Sequence, residues 1–178
     1  MLLKPIDIVE KRPNESSEAD LFLCIYQAKP LPLWIICIPY LSLHIMTIGD
    51  NYQHSFQFSQ EDVIRFAEVS GDNNPLHLDA EFAATTPFKK PIIHGILGAS
   101  IFSNVIGTKF PGAGSVYVKQ SLEFLRPMFV DVAYEARFEV LSVNADKHTA
   151  EISTEIIDAQ TKKVTTRGVA VVMNKEHF

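Results

Sequence analysis

The chain has little cysteine, since only Cys24 and Cys37 occur among its 178 residues. Both lie near the N-terminus, and residues 46–178 contain none. Disulfide frameworks, cysteine metal sites and thiol nucleophiles all require this residue. We therefore expect the main part of the protein to carry out any chemistry without a thiol.

The sequence also lacks an excess of basic residues. It has 16 Lys and Arg residues against 21 Asp and Glu residues, which gives a formal net charge of −5. Nucleic-acid binding requires a dominant basic surface that neutralises phosphates. No glycine-rich loop of the nucleotide-binding form follows a predicted strand either. The sequence therefore predicts no nucleic-acid partner.

No hydrophobic run in the sequence is suited to span a membrane. The apolar stretch at residues 31–45 is interrupted by Pro32 and Pro39. It is shorter than the roughly 20 residues that a spanning helix needs, and its prolines would break that helix. Acidic residues precede the stretch, where a secretory signal carries basic ones. We expect no membrane span and a cytoplasmic location.

The first 45 residues differ in composition from the remainder, because a polar, acidic segment is followed by an apolar one. We predict that the functional domain comprises residues 46–178. We interpret residues 1–45 as an unassigned N-terminal extension that is either disordered or not native. The chain is long enough to bury one core but too short to divide into two full domains.

Hydrophobic periodicity and turn signals predict helices followed by strands. Ser59 and Asp62 form a capping box, and Gly71 provides a helix stop. The predicted helices are residues 60–70, 79–85 and 94–109, and the predicted strands are residues 115–125, 132–143, 148–158 and 163–174. The third helix is apolar on nearly all sides, which is typical of a buried helix. We predict an α+β fold in which an antiparallel β-sheet is wrapped around this long central helix.

A carboxylate and an imidazole lie five positions apart in the segment Ser70–Asp79. We expect a bent loop here, because the residue before Pro75 is pushed out of the helical region. Asp72 and His77 on such a loop would form a general acid/base pair that shares a water molecule. The alternative is that Asp72 only bonds its own turn and that His77 is a surface histidine.

The motif Asp72-x-Asn-Pro-Leu-His77-Leu-Asp79, followed by Pro-Ile-Ile-His94-Gly95-Ile-Leu, resembles the MaoC-like, (R)-specific enoyl-CoA hydratases. The resemblance extends from about residue 56 to the C-terminus. It implies a single hot-dog domain that acts on acyl thioesters. The implied reaction is hydration of trans-2-enoyl-CoA to (3R)-hydroxyacyl-CoA, or the reverse dehydration.

The resemblance also implies roles for individual residues. Asp72 and His77 would position the catalytic water, and the N–H of Gly95 would donate to the thioester oxygen at the start of the buried helix. Substrate-binding roles are expected for a further set: Asn74, Ser103 and His94. For Ser103, a hydroxyl that bonds to the preceding helical turn is an equal alternative. For His94, the alternative is a structural role at the helix start.

No cofactor is expected beyond the CoA carried by the substrate. His77 and Asp79 could ligate a divalent ion, but the sequence offers no third ligand at a recognisable spacing, so we predict no metal site. The expected partners are an acyl-CoA thioester or an acyl carrier protein. An open sheet edge indicates a homodimer. A hot-dog thioesterase and a non-catalytic acyl-CoA-binding module are the competing hypotheses.

Overall fold

The structure is a computed structural model and describes residues 45–178. The prediction of an N-terminal extension therefore lies, except for Ile45, outside the described residues. The elements follow in the order β1 (Asn51–Phe56), α1 (Gln60–Ser70), α2 (Pro75–Leu78), α3 (Ala80–Thr85), α4 (Gly95–Thr108), β2 (Val116–Gln120), β3 (Glu123–Phe124), β4 (Tyr134–Asn144), β5 (Thr149–Asp158) and β6 (Val164–Met173). Within residues 45–178, no helix is both long and apolar enough to cross a membrane.

Helix α1 begins and ends where the capping signals predict. The Ser59 hydroxyl accepts the N–H of Asp62 at 3.2 Å, and the Asp62 carboxylate accepts the N–H of Ser59 at 2.8 Å. Gly71 ends the helix with a φ of 77°, a left-handed conformation that favours glycine. The buried residues Val63 and Ala67 fix the face that α1 turns inward. The predicted helix over residues 60–70 is confirmed.

The segment that precedes α3 is more helical than the sequence predicts. We expected a bent loop, but Pro75–Leu78 form one helical turn, α2. Asn74 accepts the N–H of Leu76 at 3.1 Å, and proline is well tolerated in the first turn because no N–H is required there. Asp79 then caps α3 by accepting the N–H groups of Glu81 and Phe82. The chain therefore still bends between α1 and α3.

Helix α4 packs one face against the sheet. Its buried residues are Leu97, Gly98, Ile101, Phe102, Val105 and Ile106. The ring of Phe102 meets that of Phe138 on β4 edge to face, with centroids 5.8 Å apart. The opposite face of α4 is open, and Ile96 is 57% exposed. The predicted central helix is thus present, but the described residues cover it on one side only.

The sheet is antiparallel throughout, with strand order β1-β4-β5-β6-β2. Strand β3 also pairs with β6, beyond the end of β2. Strands β4, β5 and β6 form the predicted meander. The sequence prediction omitted β1, whose alternating burial is nevertheless typical of an edge strand.

The predicted strand over residues 115–125 is interrupted at Ser121. A side chain at Gly168 on β6 would place its Cβ only 1.8 Å from the carbonyl oxygen of Ser121. The backbone of Ser121 thus crosses directly over Gly168, where the Ser121 hydroxyl accepts the N–H of Val169 at 2.9 Å. This crossing divides the predicted strand into β2 and β3.

Candidate active site

Two backbone hydrogen bonds bring the predicted acid/base segment beside the start of α4. The N–H of Ile92 donates to the carbonyl of Leu76 on α2 at 3.3 Å, and the N–H of Ile93 donates to the carbonyl of Met128 at 2.8 Å. The chain that leads into α4 therefore runs between α2 and the segment before β4. This path places His77 and Gly95 on the wall of one cavity.

His77 is held in one tautomer. Its side chain is largely buried, and Nδ1 lies 2.7 Å from the carbonyl oxygen of Ile92. A carbonyl can only accept, so Nδ1 must carry the hydrogen in this bond. The Nε2 atom of neutral His77 consequently retains its lone pair. The ring is thus ready to accept a proton.

Asp72 follows the helix-ending Gly71 and has a side chain that is 52% exposed. One carboxylate oxygen, Oδ1, accepts the N–H of Asn74 at 3.3 Å, which is the turn contact that the alternative interpretation described. The other oxygen, Oδ2, lies 4.0 Å from Nε2 of His94. Asp72 therefore shapes its turn with one oxygen while the second faces the histidine cluster.

His94 lies beneath the two predicted catalytic groups. It is 2% exposed, and its Nε2–H donates to the main-chain carbonyl of Asp72 at 3.0 Å. Its ring lies against that of His77, tilted by 31° with centroids 3.8 Å apart, and the centroid of the Phe66 ring is 5.0 Å away. His94 is not on the cavity wall. The predicted substrate-binding role is untested, and this placement favours the structural alternative.

Asp72, His77 and His94 form a compact cluster in which one ligand-type atom of each residue lies within 4.8 Å of the others. The sequence predicted no third metal ligand, and His94 is a third group that its spacing did not reveal. However, the Nε2 atom of His94 already carries the hydrogen that Asp72 accepts. Ligation through Nε2 would move that hydrogen to Nδ1, which is buried and has no acceptor within the described residues. The donor set therefore suits proton transfer better than metal binding.

Asp79 is separate from this cluster, although it lies two residues after His77. Its carboxylate is committed to the first turn of α3, where it accepts two backbone N–H groups at 2.9 and 3.0 Å. His77 and Asp79, which the sequence suggested as possible metal ligands, therefore have different contacts. His77 lies in the cluster, and Asp79 caps α3.

The cavity next to the cluster has a volume of about 510 Å³ and a mainly apolar wall. Its apolar residues come from two parts of the chain: Phe88, Ile92, Ile93 and Ile96 before and within α4, and Phe124, Leu125, Pro127 and Met128 around and after β3. The second group was not identified from the sequence. For this part of the chain the sequence predicted only a strand over residues 115–125.

Gly95 is the first residue of α4, so its N–H has no acceptor within the helix. A side chain at this position would place its Cβ 2.9 Å from the ring of Phe124. Only glycine therefore lets this ring lie against the helix start. The positive end of the helix dipole is then exposed to the cavity, as required for an oxyanion donor.

The structure places Asn74 beside the catalytic cluster and Ser103 apart from it. The N–H of Asn74 donates to Oδ1 of Asp72 at 3.3 Å, and its carbonyl accepts the N–H of His77 at 3.0 Å. Asn74 caps α2 through its side-chain oxygen. Ser103 lies on the open face of α4, in a second groove with Ile96 and Tyr117. Burial raises the pKa of Tyr117 to about 12, so it stays a neutral phenol that donates to Gln120. Asn74 thus contacts both Asp72 and His77 through its main chain, whereas Ser103 does not line the cavity that contains His77. Both substrate-binding roles remain predictions.

Comparison with known proteins gives consistent matches. The family described as MaoC like domain matches residues 46–165. The (R)-specific enoyl-CoA hydratase of Aeromonas caviae is 42% identical over 132 residues, which cover 74% of this chain and 98% of that protein. The 3-hydroxybutyryl-CoA dehydratase of Methylorubrum extorquens is 40% identical over 97 residues, which cover 54% of this chain and 62% of that protein.

Solved structures agree with the sequence matches. The (R)-hydratase from A. caviae involved in PHA biosynthesis superposes with a TM-score of 0.70 and 43% identity, covering 72% of this chain and 97% of that one. The R-hydratase from Pseudomonas aeruginosa in the unliganded form gives a TM-score of 0.69 and 36% identity, covering 74% and 84%. These matches confirm the predicted hot-dog fold.

Proposed function

The chain belongs to the MaoC-like domain family, and from this premise we propose that it hydrates trans-2-enoyl-CoA to (3R)-hydroxyacyl-CoA and catalyses the reverse dehydration. The observation that carries the proposal is the position of His77. A ring nitrogen of His77 lies within 4.8 Å of a carboxylate oxygen of Asp72, and His77 lies on the wall of the apolar cavity that also contains the start of α4. The (R) configuration is taken from the relatives that are named as (R)-specific hydratases.

The acid/base step requires a water between Asp72 and His77. Both the carboxylate and the Nε2 lone pair accept hydrogen bonds, so together they orient the two hydrogens of one water. As the water oxygen bonds to C3 of the enoyl group, one member of the pair takes a proton. The same proton then passes to C2, which completes the addition of water across the double bond. The reverse sequence eliminates water.

Addition at C3 places negative charge on the thioester oxygen. The start of α4 stabilises this charge, because the N–H of Gly95 has no acceptor within the helix and lies at the positive end of the helix dipole. The absence of a side chain at Gly95 makes room for the ring of Phe124, which lines the cavity beside this N–H. Loss of one such donor commonly costs about a hundredfold or more in turnover.

The acyl chain would occupy the apolar cavity, and the carrier would extend into solvent. The same chemistry applies to a thioester on CoA or on an acyl carrier protein, and we assign CoA because that carrier is named for the relatives with the most complete coverage. The reaction needs no cofactor besides the substrate's own thioester. We propose a cytoplasmic location for this reaction, as the sequence predicts.

We also propose a homodimer. Strand β2 lies at the edge of the sheet and exposes Val116 and Val118, which are 56% and 55% accessible. Ile96 and Phe124 add apolar surface on α4 and β3. An open apolar edge of this kind favours pairing with a second copy. Light scattering on Val118→Lys would test this, with a shift from dimer to monomer as the expected result.

The function is tested with trans-2-crotonyl-CoA. We expect loss of the enoyl-thioester absorbance and formation of 3-hydroxybutyryl-CoA, with the R enantiomer identified by chiral chromatography. Release of free CoA without a hydroxyacyl product would instead support a thioesterase. Tight binding of crotonyl-CoA and of longer enoyl thioesters without turnover would support a non-catalytic binding module.

A further inference from the structure

His94 contacts both catalytic groups without reaching the cavity. Its side chain is 2% exposed, its Nε2–H donates to the Asp72 carbonyl at 3.0 Å, and its ring lies against that of His77 with centroids 3.8 Å apart. The proposed proton transfers do not use it. Any effect of His94 on the reaction must therefore act through Asp72 and His77.

The contacts of His94 determine which of its two ring nitrogens carries the hydrogen. The Asp72 carbonyl accepts, so Nε2 carries the hydrogen, while Nδ1 is buried without a partner among the described residues. A second proton on Nδ1 would be a buried donor with no acceptor. These contacts therefore place the hydrogen of the imidazole on Nε2.

Asp72 needs an anchor of this kind. Its other hydrogen bonds in the described chain are local: its N–H donates to Ser70 Oγ at 3.2 Å, and its Oδ1 accepts the N–H of Asn74 at 3.3 Å. Such contacts define a turn but do not tie it to the protein interior. The bond from His94 joins the Asp72 main chain to the residue that precedes α4.

We propose that His94 is a positioning residue: its imidazole, through the hydrogen bond to Asp72 and the contact with His77, sets the distance between the Asp72 carboxylate, the His77 ring and the first N–H of α4. The inference rests on the proposed function and adds to it. The buried ring of His94 contacts both members of the acid/base pair, and His94 directly precedes the proposed oxyanion donor, Gly95. A shift of His94 would therefore misalign the water and the thioester together.

The test separates the hydrogen bond from the ring. His94→Phe keeps an aromatic ring against His77 but loses the donor to Asp72. His94→Gln loses the ring but carries an amide N–H₂ at the same number of bonds from Cβ as Nε2. We expect kcat for crotonyl-CoA hydration to fall about tenfold to a hundredfold in the Phe variant, with KM changed less than about threefold. The Gln variant should recover most of the lost kcat.

His148→Asn is the matched control. His148 also bonds a main-chain carbonyl, that of Phe178 at 2.9 Å, but it lies outside the cavity wall and the histidine cluster. Asparagine tolerates the left-handed backbone of this position. We expect kcat of this variant to equal that of the wild type. The proposal would be overturned if the Phe variant kept the wild-type kcat or if kcat of the Gln variant were no higher than that of the Phe variant. An equal loss of kcat in the His148→Asn control would also overturn it.

A spectroscopic measurement keeps the proposal testable if His94→Phe does not fold. Nitrogen-15 correlation spectra of the wild-type histidine rings should show His94 protonated on Nε2 and unprotonated on Nδ1 at neutral pH. A hydrogen on Nδ1 of His94 would contradict the proposed role. This readout needs no substrate, so it stands even if the wild type hydrates no enoyl thioester. Failure of the proposed function and failure of the His94 assignment are thereby distinguished.

Discussion

Gly98 and Met128 share a contact that leaves no room for a side chain on α4 at residue 98. A Cβ on Gly98 would lie 2.9 Å from the sulfur of Met128, closer than real contacts allow. Met128 is 5% exposed and forms part of the cavity wall. The absence of a side chain at Gly98 therefore determines where Met128 rests, and with it the space available to an acyl chain.

Gly98→Ala should narrow the range of acyl-chain lengths that the protein accepts as substrates. The methionine side chain is flexible, so it would move into the cavity rather than disrupt the helix. We expect kcat/KM for a long enoyl-CoA to fall about tenfold relative to crotonyl-CoA. Adding Met128→Ala to this variant should restore kcat/KM for the long enoyl-CoA. An equal loss for all chain lengths would show that Met128 does not limit the acyl site.

Asp72→Asn and His77→Ala should each reduce turnover by about a hundredfold or more, because a general acid/base group is lost. Steady-state hydration of crotonyl-CoA measures this, with circular dichroism to show that the fold is retained. Asp79→Asn is the control within the same motif, since Asn also caps helices and should preserve α3. Wild-type rates in the Asp72 or His77 variant would favour the binding-module hypothesis.

Gly168→Ala should destabilise the fold strongly. Its Cβ would overlap the backbone oxygen of Ser121, which cannot move without breaking the pairing of β2 and β3 with β6. We expect a loss of about 3 kcal/mol in the free energy of unfolding, measured by denaturant titration. Gly107→Ala on α4 meets nothing within 4 Å and should instead stabilise by roughly 0.5–1 kcal/mol. Similar effects from both substitutions would refute the steric argument.

The cap of α1 should give stability a defined pH dependence. Hydrogen bonds from the backbone N–H and the hydroxyl of Ser59 hold the pKa of Asp62 below its ordinary range. Its ionised form therefore stabilises the folded state above the unfolded pKa of about 4, and this contribution is lost as the pH falls through the lower folded pKa.

Asp62→Asn should accordingly lower the Tm at neutral pH, and the difference from the wild type should shrink as the pH falls below about 4. Glu68→Gln, on the last turn of the same helix, should show no such loss at neutral pH. Thermal melts across the acid range provide the comparison. A Tm difference that is independent of pH would exclude the carboxylate as the source.

Local signals in the sequence predicted local structure well. The Ser59–Asp62 capping box and Gly71 specify α1 without help from distant residues. The same reasoning failed for α2, because the cap provided by Asn74 outweighed the turn signals around Pro75. It also failed for residues 115–125, where the interruption is imposed by Gly168 more than 40 residues away.

The candidate site divides in the same way. The motif predicted catalytic roles for Asp72, His77 and Gly95, which lie on one short stretch of the chain. The position of His94 beneath them depends on the path of residues 92–94 between α2 and Met128, a tertiary relation with no fixed spacing. The wall residues Phe124 and Met128 depend on the same packing. The residue types of Phe124 and Met128 alone did not indicate that they line the cavity.

The cavity is built from two stretches that are far apart in the sequence. The proposed reacting groups lie on residues 72–95, whereas residues 124–128 supply much of the cavity wall. These stretches meet through main-chain bonds such as that from Ile93 to Met128, which do not depend on side-chain identity. Selection could therefore retune the preferred acyl group in the second stretch while the catalytic apparatus stays untouched. A graft of five residues from a relative becomes a practical route to a new substrate.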